Sequence, residues 1–62
     1  MNHEVVKVER VVAGGEGLGR LADGRTVFVP GGLPGDSVRL LALDAKKRWA
    51  RALRTELVEP SP

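Results

Sequence analysis

The chain has 62 residues, no cysteine, one histidine, two aromatic residues and a net charge of +2. A chain of this length forms one domain with a marginal core and leaves no room for a second catalytic domain; it also lacks the cysteines for disulfides and the ligands for a protein-only zinc site. Its longest apolar run, Leu40 to Leu43, is far shorter than the roughly 20 residues of a membrane span, and its N-terminus lacks the order of a signal peptide, so we expect a cytoplasmic protein without membrane contact.

The first part of the sequence predicts a strand followed by a β-hairpin. Residues 4–12 are rich in valine and nearly alternate, as in a strand, and the glycines of 13–17 end it. Short apolar runs at 18–22 and 25–29 flank Asp23-Gly24, which is a strong hairpin signal. We expect a two-residue type I′ turn there, in which both central residues have φ > 0.

A loop rich in proline and glycine follows the hairpin. Pro30 has no N–H to donate, so we expect strand pairing to stop there. Residues 30–36 contain two prolines and three glycines, which favour tight turns, and Asp36 can accept backbone N–H bonds in this loop. Phe28, between two valines, is expected in the core, where burial of a phenyl ring contributes roughly 1.5–3 kcal/mol.

Two structures fit residues 37–59. The segment contains no glycine or proline, and Trp49, Leu53 and Leu57 follow one another at helical spacing, which favours a helix. The same residues also alternate as in two strands joined by a turn at 45–48, which would complete five strands spaced as in a small barrel. Periodicity alone leaves both structures open.

The basic residues are concentrated towards the C-terminal end. Positions 46–54 hold five basic residues and no acidic one, whereas the rest of the chain holds five basic and eight acidic residues. This asymmetry is typical of a surface that binds a polyanion such as nucleic acid, although a short basic turn is also an ordinary solvated loop. Trp49 lies within this run, where it could stack on an unpaired base or cover the end of the barrel.

The other chemical features favour structural roles over catalytic ones. The run GGEGLG at 14–19 has neither the Lys-Ser/Thr nor the helix start of a phosphate-binding loop, so we interpret it as a turn. His3 has no carboxylate or nucleophile beside it, which favours a surface role over catalysis or metal binding. Asp36 and Asp44 are as consistent with capping a turn as with a chemical role. With no nucleophile–base pair and no metal-ligand set, we do not expect this chain to be an enzyme by itself.

Several short motifs occur in an order that resembles a known family. GEGLGR, ADGRTVFVPGGLPGD, SVRL, KKRWARA and EPSP follow one another along nearly the whole chain. In this order they resemble the TRAM domain, a small RNA-binding module joined to several RNA-modifying enzymes, and most of all the version at the N-terminus of RNA uracil-5 methyltransferases. The resemblance implies a five-stranded, OB-like β-barrel, so that the basic run becomes a turn and the face of a strand.

The resemblance also implies how the chain is organised and what it binds. We expect one domain over 1–62, with the barrel over 3–59 and a linker or tail beginning at 60–62, and we expect a monomer. The expected partner is RNA, either rRNA or tRNA. The phosphates would be bound by Lys46, Lys47, Arg48, Arg51 and Arg54, with Trp49 as a stacking residue and Arg20, Arg25 and Arg39 as extensions of the surface.

In the methyltransferases of this family, a separate domain binds S-adenosylmethionine and supplies a catalytic cysteine, and some members hold an iron–sulfur cluster through further cysteines. This chain has no cysteine, so we expect no cofactor in it and a covalently linked methyltransferase domain as its partner. A free-standing RNA-binding protein or RNA chaperone is one alternative. A protein-interaction barrel that uses its strand edges or the apolar loop 31–33 is the other.

Overall fold

The computed structural model describes residues 3–61, which fold into β-strands joined by turns; Met1, Asn2 and Pro62, predicted to belong to the domain and its tail, lie outside the described residues. The all-β prediction is confirmed, and the helix alternative for 37–59 is wrong. Between residues 3 and 61 there is no helix, and so none that could span a membrane. The strands are β1 (Val5–Lys7), β2 (Arg10–Val12), β3 (Glu16–Arg20), β4 (Thr26–Pro30), β5 (Ser37–Ala45) and β6 (Trp49–Glu59).

The six strands form one curled sheet in the order β1-β5-β6-β4-β3-β2. Neighbouring strands pair antiparallel except β4 and β6, which pair in parallel. The two edge strands, β1 and β2, are consecutive in the chain, so the sheet curls into a partial barrel whose edges are joined by residues 8 and 9. The predicted five-stranded barrel is therefore matched only approximately.

A break at Val8 and Glu9 divides the predicted strand 4–12 into β1 and β2. β1 pairs with β5 and β2 pairs with β3, so the chain changes partner between them. Val8 N donates to Asp36 O and Gly35 N donates to Val8 O, both at 2.8 Å, and Glu9 N donates to Leu18 O at 2.7 Å. Val8 stays buried through the break. The alternation of buried valines therefore continues from Val6 to Val8, although the backbone changes its hydrogen-bonding partner strand at this corner.

Small and β-branched side chains fill the inside of the curled sheet. In β3 the alternate residues that face inward are Gly17 and Gly19. A Cβ atom at Gly17 would lie 2.8 Å from Val8 Cγ1 and 3.0 Å from Gly32 O. The missing side chain lets β3 approach the corner closely. The buried core consists of Val6, Val8, Leu21, Val27, Val29, Val38, Leu40, Ala50 and Ala52.

The hairpin between β3 and β4 forms as predicted, but with a different turn. Leu21 N donates to Arg25 O at 2.8 Å and Gly24 N donates to Leu21 O at 2.9 Å, which closes a three-residue loop over 22–24. In this loop Gly24 has a positive φ of 95° and Asp23 does not. The predicted two-residue type I′ turn is wrong. The loop has three residues, so that a β-turn over 21–24 ends at Gly24 in the left-handed region.

Pairing also extends one residue further than predicted. Pro30 is the last residue of β4 and lies opposite Glu16 of β3. A proline is tolerated at this position because it ends the strand, beyond the last residue of β4 that pairs with β6.

Asp36 fastens the loop that follows β4, as its position in the sequence predicts. Its buried carboxylate accepts hydrogen bonds from Leu33 N at 3.0 Å and from Ser61 N at 2.6 Å. These bonds, that from Leu33 first, hold the pKa of Asp36 below its ordinary value of 3.8. The Asp36 side chain thus connects the loop with Ser61, beyond the end of β6, and its backbone carbonyl accepts the hydrogen bond from Val8 at the strand corner.

The crowding at Gly17 predicts the effect of adding one methyl group. We expect Gly17→Ala to lower the free energy of unfolding by about 1–3 kcal/mol, the usual cost of overpacking a tight core. Urea denaturation measures this loss. In the double variant Gly17→Ala/Val8→Ala, the shorter side chain at position 8 removes the 2.8 Å contact. The double variant should therefore lose less free energy of unfolding than the two single variants lose in sum. Strict additivity would contradict the proposed contact.

The hydrogen bonds of Asp36 predict a pH dependence of stability. A carboxyl whose pKa is depressed by folding stabilises the protein above its unfolded pKa, and this contribution is lost as the pH falls through its folded pKa. We therefore expect Asp36→Asn to melt at a lower temperature than the wild type at pH 7, and the difference to shrink as the pH falls below 3.8. Thermal melts across this range test it, with Asp44→Asn as the control for removing one negative charge. A pH-independent difference would show that Asp36 acts only through its shape.

Candidate nucleic-acid interface

The parallel pairing of β4 with β6 assembles the outer face of the sheet. Residues that lie opposite one another on paired strands point to the same side. Phe28 of β4 lies opposite Arg51 of β6, and Trp49 lies two positions earlier in the parallel ladder, opposite Thr26. Adding β2 and β3 gives two cross-strand rows, Arg10-Leu18-Phe28-Arg51 and Arg20-Thr26-Trp49.

Phe28 and Trp49 form an aromatic pair at the centre of this face. Their ring centroids are 5.6 Å apart and their planes make an angle of 83°, an edge-to-face arrangement. The expectation that Phe28 lies in the core is wrong, because Val27 and Val29 take the inward positions of β4. Trp49 is 38% exposed, so part of its ring remains open to a ligand.

Arg51 completes the platform, a name used here for Phe28, Trp49 and Arg51. Its Cζ atom lies 5.6 Å from the centroid of the Phe28 ring, within the range of a cation–π interaction. Its Nη1 atom also lies 3.0 Å from Glu16 Oε2, an oxygen shielded from solvent that has no aligned hydrogen-bond donor. The contact is therefore an ion pair without a directed hydrogen bond. The pair holds the guanidinium beside the aromatic rings.

The basic turn, residues 46–48, joins β5 to β6 next to Trp49. Lys46 N donates to Trp49 O at 2.7 Å, which closes the turn, and all three side chains are exposed. Lys46 Nζ lies 3.6 Å from Asp44 Oδ1, and because both groups are about half exposed, this pair contributes little to stability. Among residues 3–61, no carboxylate lies within 4.0 Å of the cationic group of Lys47 or Arg48. Their charge faces solvent.

Arg25 holds the basic turn against the β3–β4 hairpin. Its Nη1 atom donates to Lys46 O at 2.8 Å, and its Nε atom donates to Asp23 Oδ2 at 2.8 Å. The hydrogen bond from the Arg25 side chain, and after it the one from its backbone, hold the pKa of Asp23 below its ordinary value. Arg25 was predicted to extend the RNA surface, and its guanidinium is already engaged in positioning the turn.

Arg10 and Arg20 rim a shallow depression of about 310 Å³ beside the platform. Arg20 Nη1 donates to Gly24 O at 3.3 Å, a long hydrogen bond that leaves the side chain exposed. The depression thus adds two cations to the edge of the aromatic face. Its lining consists of Glu9, Arg10, Leu18, Gly19, Arg20 and Thr26.

The predicted site residues do not all meet. Arg39 pairs with Glu56 on the outer side of β5 and lies six residues before the end of that strand, about 20 Å from the basic turn at 3.3 Å per residue. Arg54 lies about 16 Å along β6 from Trp49, at a shift in register. The residues brought to one end of the sheet are Lys46, Lys47, Arg48, Trp49, Arg51, Arg20 and Arg25.

Sequence reasoning missed Arg10 and Phe28 as members of this face. In a strand, Phe28 must point to the face opposite that of Val27 and Val29. If the two valines are assigned to the core, this alternation predicts that Phe28 lies on the outer face. Arg10 enters the face only because the chain changes partner at Val8 and Glu9. No local pattern reports such a change of partner.

Comparisons with known proteins agree with these features. Residues 4–53 match the family model of the TRAM domain. An uncharacterized RNA methyltransferase of Corynebacterium glutamicum is 52% identical over 46 residues, which cover 74% of this chain and 11% of that protein. An uncharacterized RNA methyltransferase of Gloeobacter violaceus is 39% identical over 57 residues, covering 92% of this chain and 12% of that protein.

A relative with a named reaction is also similar. The 23S rRNA (uracil(1939)-C(5))-methyltransferase RlmD of Dichelobacter nodosus is 40% identical over 48 residues, covering 77% of this chain and 11% of that protein. The chain therefore spans about a tenth of the length of the curated relatives it matches. No solved structure matches it.

Proposed function

The chain belongs to the TRAM domain family, and on this premise we propose that it is an RNA-binding module that holds substrate RNA for an rRNA or tRNA uracil-5 methyltransferase. The single observation that carries the proposal is the contiguity of the platform with the basic turn: Trp49 belongs to the first and directly follows the second. Stacking surface and exposed cations at one end of a sheet are what an unpaired nucleotide and its phosphates require.

The charge of the basic turn would supply most of the affinity. Lys47 and Arg48, together with Lys46, would attract phosphates and release counterions, which makes binding strongly salt-dependent. Arg25 would contribute by fixing the backbone of the turn. Arg39 and Arg54 remain part of the proposed surface as more distant phosphate contacts. None of these cations is held in the rigid bidentate geometry that reads a base edge, so sequence readout should be poor.

The platform would add a contact that duplex RNA cannot make. A base stacked on an aromatic side chain contributes about 1–3 kcal/mol, and a base inside a helix is not available for it. We therefore expect the module to favour loops, bulges or unpaired strands with an adjoining phosphate backbone. Arg10 and Arg20, at the rim of the depression, are placed to receive the phosphates on either side of such a base.

Within a methyltransferase the module would act at a distance from the chemistry. Binding energy gained on the TRAM domain would position the RNA so that a separate domain, which would hold S-adenosylmethionine and the catalytic cysteine, reaches an extruded uracil. We propose that the six-stranded sheet corresponds to a five-stranded OB-like barrel in which the first strand is bent and divided into β1 and β2. We place it in the cytoplasm, as a monomer.

Charge reversal in the basic turn is the direct test. For Lys46→Glu/Lys47→Glu/Arg48→Glu we expect a large loss of affinity for a labelled stem-loop RNA. The slope of log K against log salt should become shallower by about 2, since each lost phosphate contact removes about 0.7. Fluorescence anisotropy over a series of salt concentrations measures both quantities. Unchanged affinity and slope would overturn the proposed function.

A matched pair of single substitutions locates the effect. Lys47 and Lys7 are both exposed lysines with no ion pair among the described residues, but Lys7 lies in β1, opposite Ser37, at the far end of β5 from the turn. Lys47→Glu should weaken RNA binding more than Lys7→Glu. Equal losses would mean that net charge matters and the basic turn does not.

The platform makes a second prediction that depends on RNA structure. We expect Trp49→Ala to weaken binding to an unpaired RNA strand by about 5- to 150-fold, equivalent to 1–3 kcal/mol, and to affect duplex RNA much less. Leu33→Ala, which removes an exposed apolar side chain away from the platform, is the control. In the wild type, the fluorescence of Trp49, the sole tryptophan, should be quenched by the unpaired strand. Equal losses on both RNAs would contradict stacking.

A further inference from the structure

The curled sheet has an open seam where β4 and β6 separate. Their parallel ladder ends at the pair Phe28 and Arg51, after which β6 continues to Glu59 paired only with β5. β4 instead ends at Pro30 and leads into the loop 31–36. The last part of β6, residues 53–59, is therefore an edge on the side that faces this loop.

Side chains that face the core are exposed at this seam. Leu57 lies opposite the buried Val38 and so points to the inner side of the sheet, yet it is 55% exposed. Thr55 lies opposite the buried Leu40 in the same way. A groove of about 160 Å³ separates these residues from the loop, and a space near 150 Å³ accepts a group the size of benzene. The groove is lined by Val29, Pro30, Gly31, Gly32, Asp36, Val38, Thr55 and Leu57.

The charge of the groove argues against RNA as its occupant. Asp36 is the one charged residue of its lining, and its carboxylate is an anion whose pKa is held low. A phosphate would be repelled there, whereas the basic turn lies at the other end of β5. An apolar side chain fits the groove better than a nucleotide.

The position of Ser61 indicates where an attached segment would run. Asp36, which lines the groove, accepts a hydrogen bond from Ser61 N at 2.6 Å. The matched region is the short N-terminal part of the relatives, and about nine tenths of their length lies outside it. A chain continued in the same way would begin beside the seam.

We propose that the seam, formed by Thr55, Leu57 and the groove, docks an apolar side chain of the covalently attached remainder of the protein. This inference rests on the proposed attachment to a methyltransferase and is independent of RNA binding. The exposed large apolar side chains of this strand edge are Leu53, Leu57 and Val58, a small surface beside the roughly 800 Å² that each partner buries in a stable complex between separate chains. Such a small surface suffices for a linked partner, whose effective concentration reaches the millimolar range. It is too small for a second copy.

Cysteine labelling tests the proposal, because the described chain has no cysteine of its own. The variant Leu57→Cys is made in the 62-residue chain and in the full-length product of the gene that encodes it, and mass spectrometry of the labelled peptide follows the reaction of that one thiol with a maleimide. We expect labelling to be about tenfold slower or more in the full-length protein, since the thiol is then reached only when the seam opens. Ala22→Cys, in the exposed hairpin loop, should react equally in both, and Thr55→Cys replaces the first variant if Leu57→Cys fails to fold.

Each other outcome overturns the proposal for a distinct reason. Equal labelling of Leu57→Cys in both proteins would show that the seam stays open. Protection in the 62-residue chain by stem-loop RNA, or by a higher chain concentration, would assign the seam to RNA or to a second copy. A gene that ends after Pro62 would exclude both the attached partner and the methyltransferase role. The salt-dependent RNA binding of the basic turn would then be tested separately by the charge-reversal variants.

Discussion

The corner at Val8 is the constraint on which the rest of the structure depends. The sheet order places β1 and β2 at opposite edges although they are consecutive in the chain, so the sheet must curl until two residues, Val8 and Glu9, can connect them. Val8 does so through backbone hydrogen bonds to Gly35 and Asp36, with its side chain buried between Gly17 and Gly32. A side chain at either glycine would meet a Val8 methyl group at 2.8–2.9 Å. The glycines of the sequence thus set how tightly the sheet curls.

This constraint explains why the sequence reveals the turns better than the strand partners. The hairpin, the proline-glycine loop, the role of Asp36 and the turn at 46–48 follow from local chemistry, in which a glycine, a proline or a short carboxylate side chain acts on its immediate neighbours. The break between β1 and β2 does not, because Val6 and Val8 keep the alternation of a single strand. Asp23-Gly24 was recognised as a hairpin, but its loop length depends on where Leu21 and Arg25 pair.

The candidate site divides in the same way. The charge of residues 46–54 is visible in the sequence, and the exposure of the basic turn confirms where that charge lies. The platform is not visible, because it depends on the parallel pairing of Phe28 with Arg51, two residues far apart in the chain. Nor does the sequence show that Arg25 is engaged with Lys46 O while Lys47 and Arg48 face solvent. The number of charges locates the region, and only the folded structure separates cations that face solvent from a cation that is engaged within the protein.

The division of β6 into two surfaces follows from its register with β5. Ala50 and Ala52 face the core, so Trp49 and Arg51 point outward beside Phe28. Shifts in register between Leu40 and Leu43 then reverse the alternation, so that Thr55 and Leu57 face inward instead. With a regular ladder, Arg54, Glu56 and Val58 would have followed Ala52 on the inner side, and Thr55 and Leu57 would have pointed outward. Because of these shifts in register, β6 carries a cationic, aromatic face near the basic turn and an apolar seam near Ser61. Arg51 and Leu57 are separated by about 20 Å of chain, at 3.3 Å per residue. That separation would let the proposed RNA and the proposed attached domain contact the same strand without competing.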